Sequence, residues 1–183
     1  MSDTFCSPVV RGLTPYVPGE QPRIANLVKL NTNENPYPPS LRVADAIAAA
    51  VQDLRLYPDP ESVALREVIA RHHGLQPGQV FVGNGSDEVL AHAFFAFFQQ
   101  REPLLMPDIS YSFYAVYCRL YGIRAEGVPL DADMRVRVSD YAGRPAGGVV
   151  VANPNAPTGR AISLAEVEVL LRLHPQSAAV VAS

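Results

Sequence analysis

From Gln79 to the end of the chain, short apolar runs of strand type alternate with segments whose apolar residues recur at helical spacing. Few architectures accept that alternation. Successive parallel strands need a crossover, a helix is the usual one, and the crossovers come to cover both faces of the sheet. The pattern therefore predicts an α/β fold of three layers, αβα, around a mostly parallel sheet. Strands are expected at 79–82, 104–106, 123–128, 148–152 and 178–182, with a further short one at Met134–Val138. Helices are expected over 89–98, 111–121 and 163–173, the last opened by the capping box Ser163-Leu164-Ala165-Glu166.

Upstream, Ser40 is placed to cap a helix running to Leu54, with Leu41, Ala44, Ile47, Ala48 and Val51 on one face, and Ser62 to begin another that ends at His73 before Gly74. Residues 1–39 read as an extended arm, because Thr14-Pro15-Tyr16-Val17-Pro18-Gly19 and Asn35-Pro36-Tyr37-Pro38-Pro39 break any regular element. The expected organisation is an arm over 1–39 and one domain over 40–183.

Composition narrows the classes. With 48% hydrophobic and 18% charged residues and a net charge of −3, the chain has the make-up of an ordinary soluble domain. Its arginines are scattered and Lys29 is its one lysine, which argues against a nucleic-acid surface. No apolar run approaches the ~18 residues of a membrane span, and no secretory signal opens the chain, so the expected place is the cytoplasm. Cys6 and Cys118 fit no metal or redox spacing, and neither do the four histidines.

Ligands of parallel sheets gather beyond the carboxyl ends of the strands, and three loops fall there: Gly83–Glu88, Pro107–Tyr111 and Asn153–Gly159. The first runs straight into a helix. Free backbone N–H groups of Ser86 and Asp87 would stand at the positive end of that helix, where an anion such as phosphate is stabilised, although an ordinary helix start uses the same residues. Tyr111 could lay its ring on a flat heteroaromatic ligand or simply pack. Neither a dinucleotide fingerprint nor a P-loop is present.

Taken in order, Leu30-Asn31-Thr32-Asn33-Glu34-Asn35-Pro36, Tyr57-Pro58, Val82-Gly83-Asn84-Gly85-Ser86-Asp87-Glu88, Tyr111-Ser112-Phe113-Tyr114 and Asn153 to Gly159 closely resemble the histidinol-phosphate aminotransferase family. The resemblance covers almost the whole chain. It implies the large domain of a fold-type I, pyridoxal-5'-phosphate-dependent transferase, incomplete at its carboxyl end. It also implies amino transfer between histidinol phosphate and 2-oxoglutarate in histidine biosynthesis, by a homodimer. By that resemblance Gly85, Ser86 and Asp87 hold the cofactor phosphate and Tyr111 stacks on the pyridine ring. Tyr57 reaches the cofactor phosphate of a neighbouring subunit, and Tyr16 helps to recognise the substrate. The family's asparagine before Pro-Thr-Gly is replaced here by Ala156, which leaves Asn155 as the nearest substitute for contact with the ring oxygen.

The resemblance also marks what is absent. The family's Schiff-base lysine follows well beyond residue 183, and Lys29, in the arm, is no substitute for it. The strand-end aspartate that holds the pyridine nitrogen protonated has Ser183 in its place. The chain by itself is therefore expected to be catalytically incompetent and, with Val180 and Val181 on a bare edge, poorly soluble. Threonine-phosphate decarboxylases and aromatic aminotransferases share the cofactor cradle and stand as alternative activities. A non-catalytic half-subunit that pairs with an intact relative is an alternative of another class.

Overall fold

Leu104, Leu105, Val149, Val150 and Val151 are at most 1% exposed, as expected of strands covered on both faces. The structure, a computed structural model, describes residues 3–14, 20, 22–31 and 34–182. These form two compact units, one drawn from 1–16 and 83–183, the other from 17–82.

The first unit is built on four strands, β1 (Leu104–Pro107), β2 (Ala125–Val128), β3 (Gly148–Ala152) and β4 (Ala178–Ala182), all parallel and in the order β2-β1-β3-β4. The side-chain period of two sorts them onto two faces. Leu104, Met106, Val150 and Val180 pack with Leu90, Phe94, Phe98, Tyr114, Tyr117 and Cys118, from helices α4 (Gly85–Phe97) and α5 (Phe113–Tyr121) and the residue that follows α4. Leu105, Val149, Val151 and Ala179 face the other way. They pack with Val136, Val138, Tyr141, Ile162 and Leu170, the last from helix α6 (Leu164–Leu173). Helix, sheet and helix make three layers, as the alternation predicts. Burying one such Phe or Leu contributes about 1.5–3 kcal/mol, so these two clusters carry most of the unit's stability.

The chain leaves β1 toward β2 on one side, then crosses back so that β3 lies on the other side of β1. The loops after β1 and β3 therefore start from neighbouring strand ends before the chain turns to opposite sides of the sheet, the position at which parallel sheets hold their ligands.

Within the second unit, helix α2 (Leu41–Ala50) continues as a 3-10 turn over Val51–Asp53, and Ser40 caps it by accepting from the Arg42 N–H at 3.2 Å. None of its residues is buried, and Leu41 and Ile47 are 85% and 62% exposed. Helix α3 (Val63–His73) packs on the turn that follows it. There the Arg66 side chain donates to the carbonyls of Pro77 and Val80, both at 3.0 Å.

Four expectations are corrected. Residues 79–82 pair with no strand among the described residues; the segment begins as a 3-10 turn over Pro77–Gln79 and runs on extended. Met134–Val138 is no strand either. The Asp131 carboxylate accepts from the N–H groups of Asp133 and Arg135, both at 2.9 Å, and curls the chain so that Met134 takes a φ of 61°. Ser62 does not cap α3. It has a φ of 48° and its side chain makes no capping bond, and the Asp59 carboxylate caps instead, accepting from the N–H groups of Glu61 at 3.0 Å and Val63 at 2.7 Å. These bonds hold the Asp59 carboxyl below its usual range. Finally, the arm is not extended throughout, since Pro8–Arg11 forms the short helix α1 capped by Ser7. No described helix is long and apolar enough to cross a membrane.

Candidate functional site

Gly85 opens α4 with a φ of 83°, a conformation that a side chain strongly disfavours. No atom lies within 4 Å of where a Cβ would stand, so conformation, not room, is what requires glycine. At Gly83 the requirement is room. A Cβ there would meet the Glu88 carboxylate and the Val89 side chain, both at 3.0 Å. That closeness lets Glu88 fold back to accept from the Asn84 N–H, while the Gly85 N–H donates to the Gly83 carbonyl at 3.0 Å. The side chain of Asn84 makes no capping bond. The first-turn N–H groups of Ser86 and Asp87, which have no acceptor inside a helix, find none among the described residues. Two donors thus point out of an exposed turn at the positive end of a helix.

Two carboxylates in the same turn would repel an anion if they faced it. Both are turned aside, Glu88 to the Asn84 amide and Asp87 toward α5, where its Oδ1 accepts from the Tyr111 hydroxyl at 3.3 Å. A second tyrosine, Tyr117, donates to the Asp87 carbonyl at 2.8 Å. The turn is thereby fastened to the loop after β1 and to the helix beyond it.

Tyr111 is half-buried. Its ring meets the edge of Tyr114 at 5.5 Å and lies stacked with Phe113 at 6.3 Å. Burial pushes the Tyr114 phenol up to about 12, with neighbouring Tyr111 adding to the shift. Burial, then the Asp87 charge, lifts Tyr117 well above the ordinary phenol range. Both stay neutral; Tyr117 serves the site as a hydrogen-bond donor and Tyr114 as packing surface.

Asn155 is 1% exposed, and its amide is fully employed. Its Nδ2 donates to the Ile109 carbonyl at 2.9 Å and to the Thr158 hydroxyl at 3.3 Å, and its Oδ1 accepts from the Ser110 hydroxyl at 2.9 Å. Its own N–H donates to the Arg160 carbonyl at 2.8 Å. The asparagine thus staples the loop after β3 to the two residues before Tyr111. Beside it, Asn153 exchanges side-chain hydrogen bonds with the backbone of Ile162, at 2.9 and 3.1 Å.

Of the residues named from sequence, Asp87 and Tyr111 are joined by a hydrogen bond, Gly85 and Ser86 adjoin Asp87 in the same turn, and Asn155 is bonded to the two residues before Tyr111. Tyr57, in the second unit, is fully exposed. Tyr16 lies outside the described residues. Lys29 forms an ion pair with Glu34 at 2.5 Å. The sequence reading missed Tyr117 and Ser110. Tyr117 has the spacing of a core aromatic, and only its hydroxyl, aimed at a helix 30 residues upstream, distinguishes it. Among the described residues no cluster of His, Cys, Asp or Glu is arranged to hold a metal ion.

Outward amides at a helix start beside an aromatic ring, at the carboxyl end of a doubly covered parallel sheet, are the arrangement by which proteins of the α/β class receive phosphorylated ligands. The profile of the family "Aminotransferase class I and II" matches residues 25–182, and the chain belongs to that family. Among its relatives is a histidinol-phosphate aminotransferase of Acetobacter pasteurianus, 64% identical over 93% of this chain and 48% of that protein. Another is histidinol-phosphate aminotransferase 1 of Pseudomonas fluorescens, 59% identical over 97% of this chain and 51% of that protein. The chain spans about half the length of the curated relatives it matches. Its fold is also that of the Sinorhizobium meliloti histidinol-phosphate aminotransferase solved with pyridoxal-5'-phosphate. That match has a TM-score of 0.83 and 25% identity, and covers 97% of this chain and 50% of that one.

Proposed function

We propose that this chain carries the cofactor cradle of a pyridoxal-phosphate-dependent aminotransferase that moves an amino group between histidinol phosphate and 2-oxoglutarate. The observation that carries the reading is the bond from Tyr111 to Asp87, because it ties an aromatic face to a turn with two free amides. Ring and amides are then spaced as one rigid receptor for a ring that bears a phosphate. The substrate class rests on the two relatives named for histidinol phosphate.

In this reading the N–H groups of Ser86 and Asp87, with the Ser86 hydroxyl, hold the phosphate, and Gly85 supplies the backbone turn that aims them. Tyr111 covers one face of the pyridine ring and excludes water from it. Asn155 acts on Tyr111 through Ile109 and Ser110, in place of the direct contact with the ring oxygen expected from sequence. When bound, the cofactor supplies an electron-withdrawing ring next to the carbon whose amino group is moved. Lys29 takes no part, and the lysine that moves the proton lies outside residues 1–183. Tyr57 and Tyr16 are assigned to the phosphate and the substrate across a homodimer interface, in the cytoplasm. The same reading divides the chain into an arm, 1–39, and part of a cofactor-binding large domain, 40–183.

Two measurements test this. The whole encoded polypeptide should bind pyridoxal phosphate more tightly than pyridoxal in equilibrium dialysis; equal affinity would remove the phosphate turn from the reading. The whole encoded polypeptide should form glutamate from 2-oxoglutarate only when histidinol phosphate is supplied. Glutamate formed from an aromatic amino acid alone, or decarboxylation of threonine phosphate, would reassign the substrate.

A further inference from the structure

We infer that Tyr117 is a positioning residue for the phosphate-binding turn: its hydroxyl, bonded to the Asp87 carbonyl, fixes the direction of the amides that receive the phosphate. The inference rests on the cofactor reading above and extends it to a residue that lies outside the cradle.

The Tyr117 ring is 3% exposed and held on three sides. Phe94 lies at 5.0 Å, Phe113 stands edge-on at 4.9 Å, and Tyr121 is nearly parallel at 6.5 Å. A ring so confined cannot swing, so its hydroxyl is delivered to one point. That point is a carbonyl in the first turn of α4, 2.8 Å away. By helix geometry this oxygen already accepts from the N–H four residues on, and the hydroxyl takes its remaining lone pair. Two donors on one carbonyl pin the peptide between Asp87 and Glu88 more firmly than the helix alone can at its frayed end, and through the shared Asp87 Cα they restrain the preceding peptide, which carries the Asp87 N–H.

The choice of residue is what gives the contact a function. Asp87 contributes an amide to the turn, its carboxylate meets the hydroxyl of Tyr111, and its carbonyl meets that of Tyr117. One residue therefore registers the phosphate end against the ring end, and Tyr117 holds that residue from behind. A donor misplaced by a fraction of an ångström loses much of a charge-assisted bond, so losing this anchor is felt at the phosphate. Tyr117 remains protonated across the physiological range, so it steadies the turn without adding a negative charge beside the anion.

The test is Tyr117→Phe in the whole encoded polypeptide, which keeps the ring and its packing and removes only the hydroxyl. In equilibrium dialysis its affinity for pyridoxal phosphate should fall about five- to tenfold, the equivalent of one net hydrogen bond. Its affinity for pyridoxal, which lacks the phosphate, should change less than about twofold. Asp87→Ala, which keeps amide and carbonyl but removes the carboxylate that accepts from Tyr111, should instead weaken both ligands in equal proportion. The inference is overturned if Tyr117→Phe binds both ligands as the parent does, or loses both in the same ratio. Failure of Tyr117→Phe to fold would assign the hydroxyl to the core and overturn it equally. Absence of pyridoxal phosphate binding by the parent polypeptide, taken whole, would defeat the cofactor reading before any variant is compared, and this inference with it.

Discussion

Replacing Asn155 by alanine would remove a hydrogen-bond partner from the Ile109 carbonyl and from the hydroxyls of Ser110 and Thr158, all partly buried bonds. A net hydrogen bond contributes roughly 0.5–1.5 kcal/mol, so Asn155→Ala should lower unfolding stability by about 1–3 kcal/mol in urea titration. Tyr141 poses the opposite case. Its carbonyl is taken by the His174 ring at 3.1 Å, but its buried hydroxyl has no partner among the described residues. Tyr141→Phe should therefore be neutral or raise stability by up to about 1 kcal/mol, and a marked loss in the same titration would contradict this. The two residues also mark what can be read along a chain. Gly85, Ser86 and Asp87 form a contiguous string at a helix start, and Tyr111 closes a strand-end loop, so spacing finds them. The duties of Asn155 and Tyr117 depend on partners 45 and 30 residues away, and no local pattern encodes them.

Helix α6 is legible to the residue because its start is purely local: Ser163 accepts from the Glu166 N–H at 3.3 Å, and Glu166 reaches back to the Ser163 N–H at 2.6 Å. Ser163→Ala should lower the midpoint of thermal unfolding, by the equivalent of about 1 kcal/mol. The start of α3 looked alike on paper, yet Ser62 occupies a left-handed conformation and the cap comes from Asp59. Ser62→Gly, which relaxes that backbone without removing a capping bond, should raise the same midpoint, by the equivalent of about 1 kcal/mol. Strands depend on a neighbour in a way that helices do not. Residues 148–152 and 178–182 pair over their full length in register, while 79–82, of similar composition, pairs with nothing described. A run of apolar residues states a capacity for the sheet, and only the fold decides whether a place exists.

At the scale of the molecule, the alternation of strands and helices conveyed the layers and the parallel direction, but not the order β2-β1-β3-β4 that sets two loops side by side. Order depends on which crossovers turn which way, and the residues of a crossover do not record it. The core has a pH signature of its own. Burial pushes the Cys118 thiol up to about 11 and the Tyr114 phenol up to about 12. Folded values above unfolded ones mean that the neutral forms favour folding. This contribution is complete below the unfolded values and disappears as pH rises toward the folded ones, between roughly pH 9 and 12. Each group accounts for something on the order of 2–3 kcal/mol, so urea midpoints should fall steeply across that window. Tyr114→Phe should flatten the upper part of the fall, and an unchanged profile would show that the phenol titrates as it does in water.

Because all four strands run the same way, the loops after β1 and β3 share one rim of the sheet, to which the Tyr111–Asp87 bond also ties the turn that opens α4, and the chain enters β4 past the exposed Gln176 at the opposite rim. A surface tether or fluorescent label attached at Gln176 would leave the mouth open to solvent, which makes this far edge the natural handle for immobilised or single-molecule binding assays.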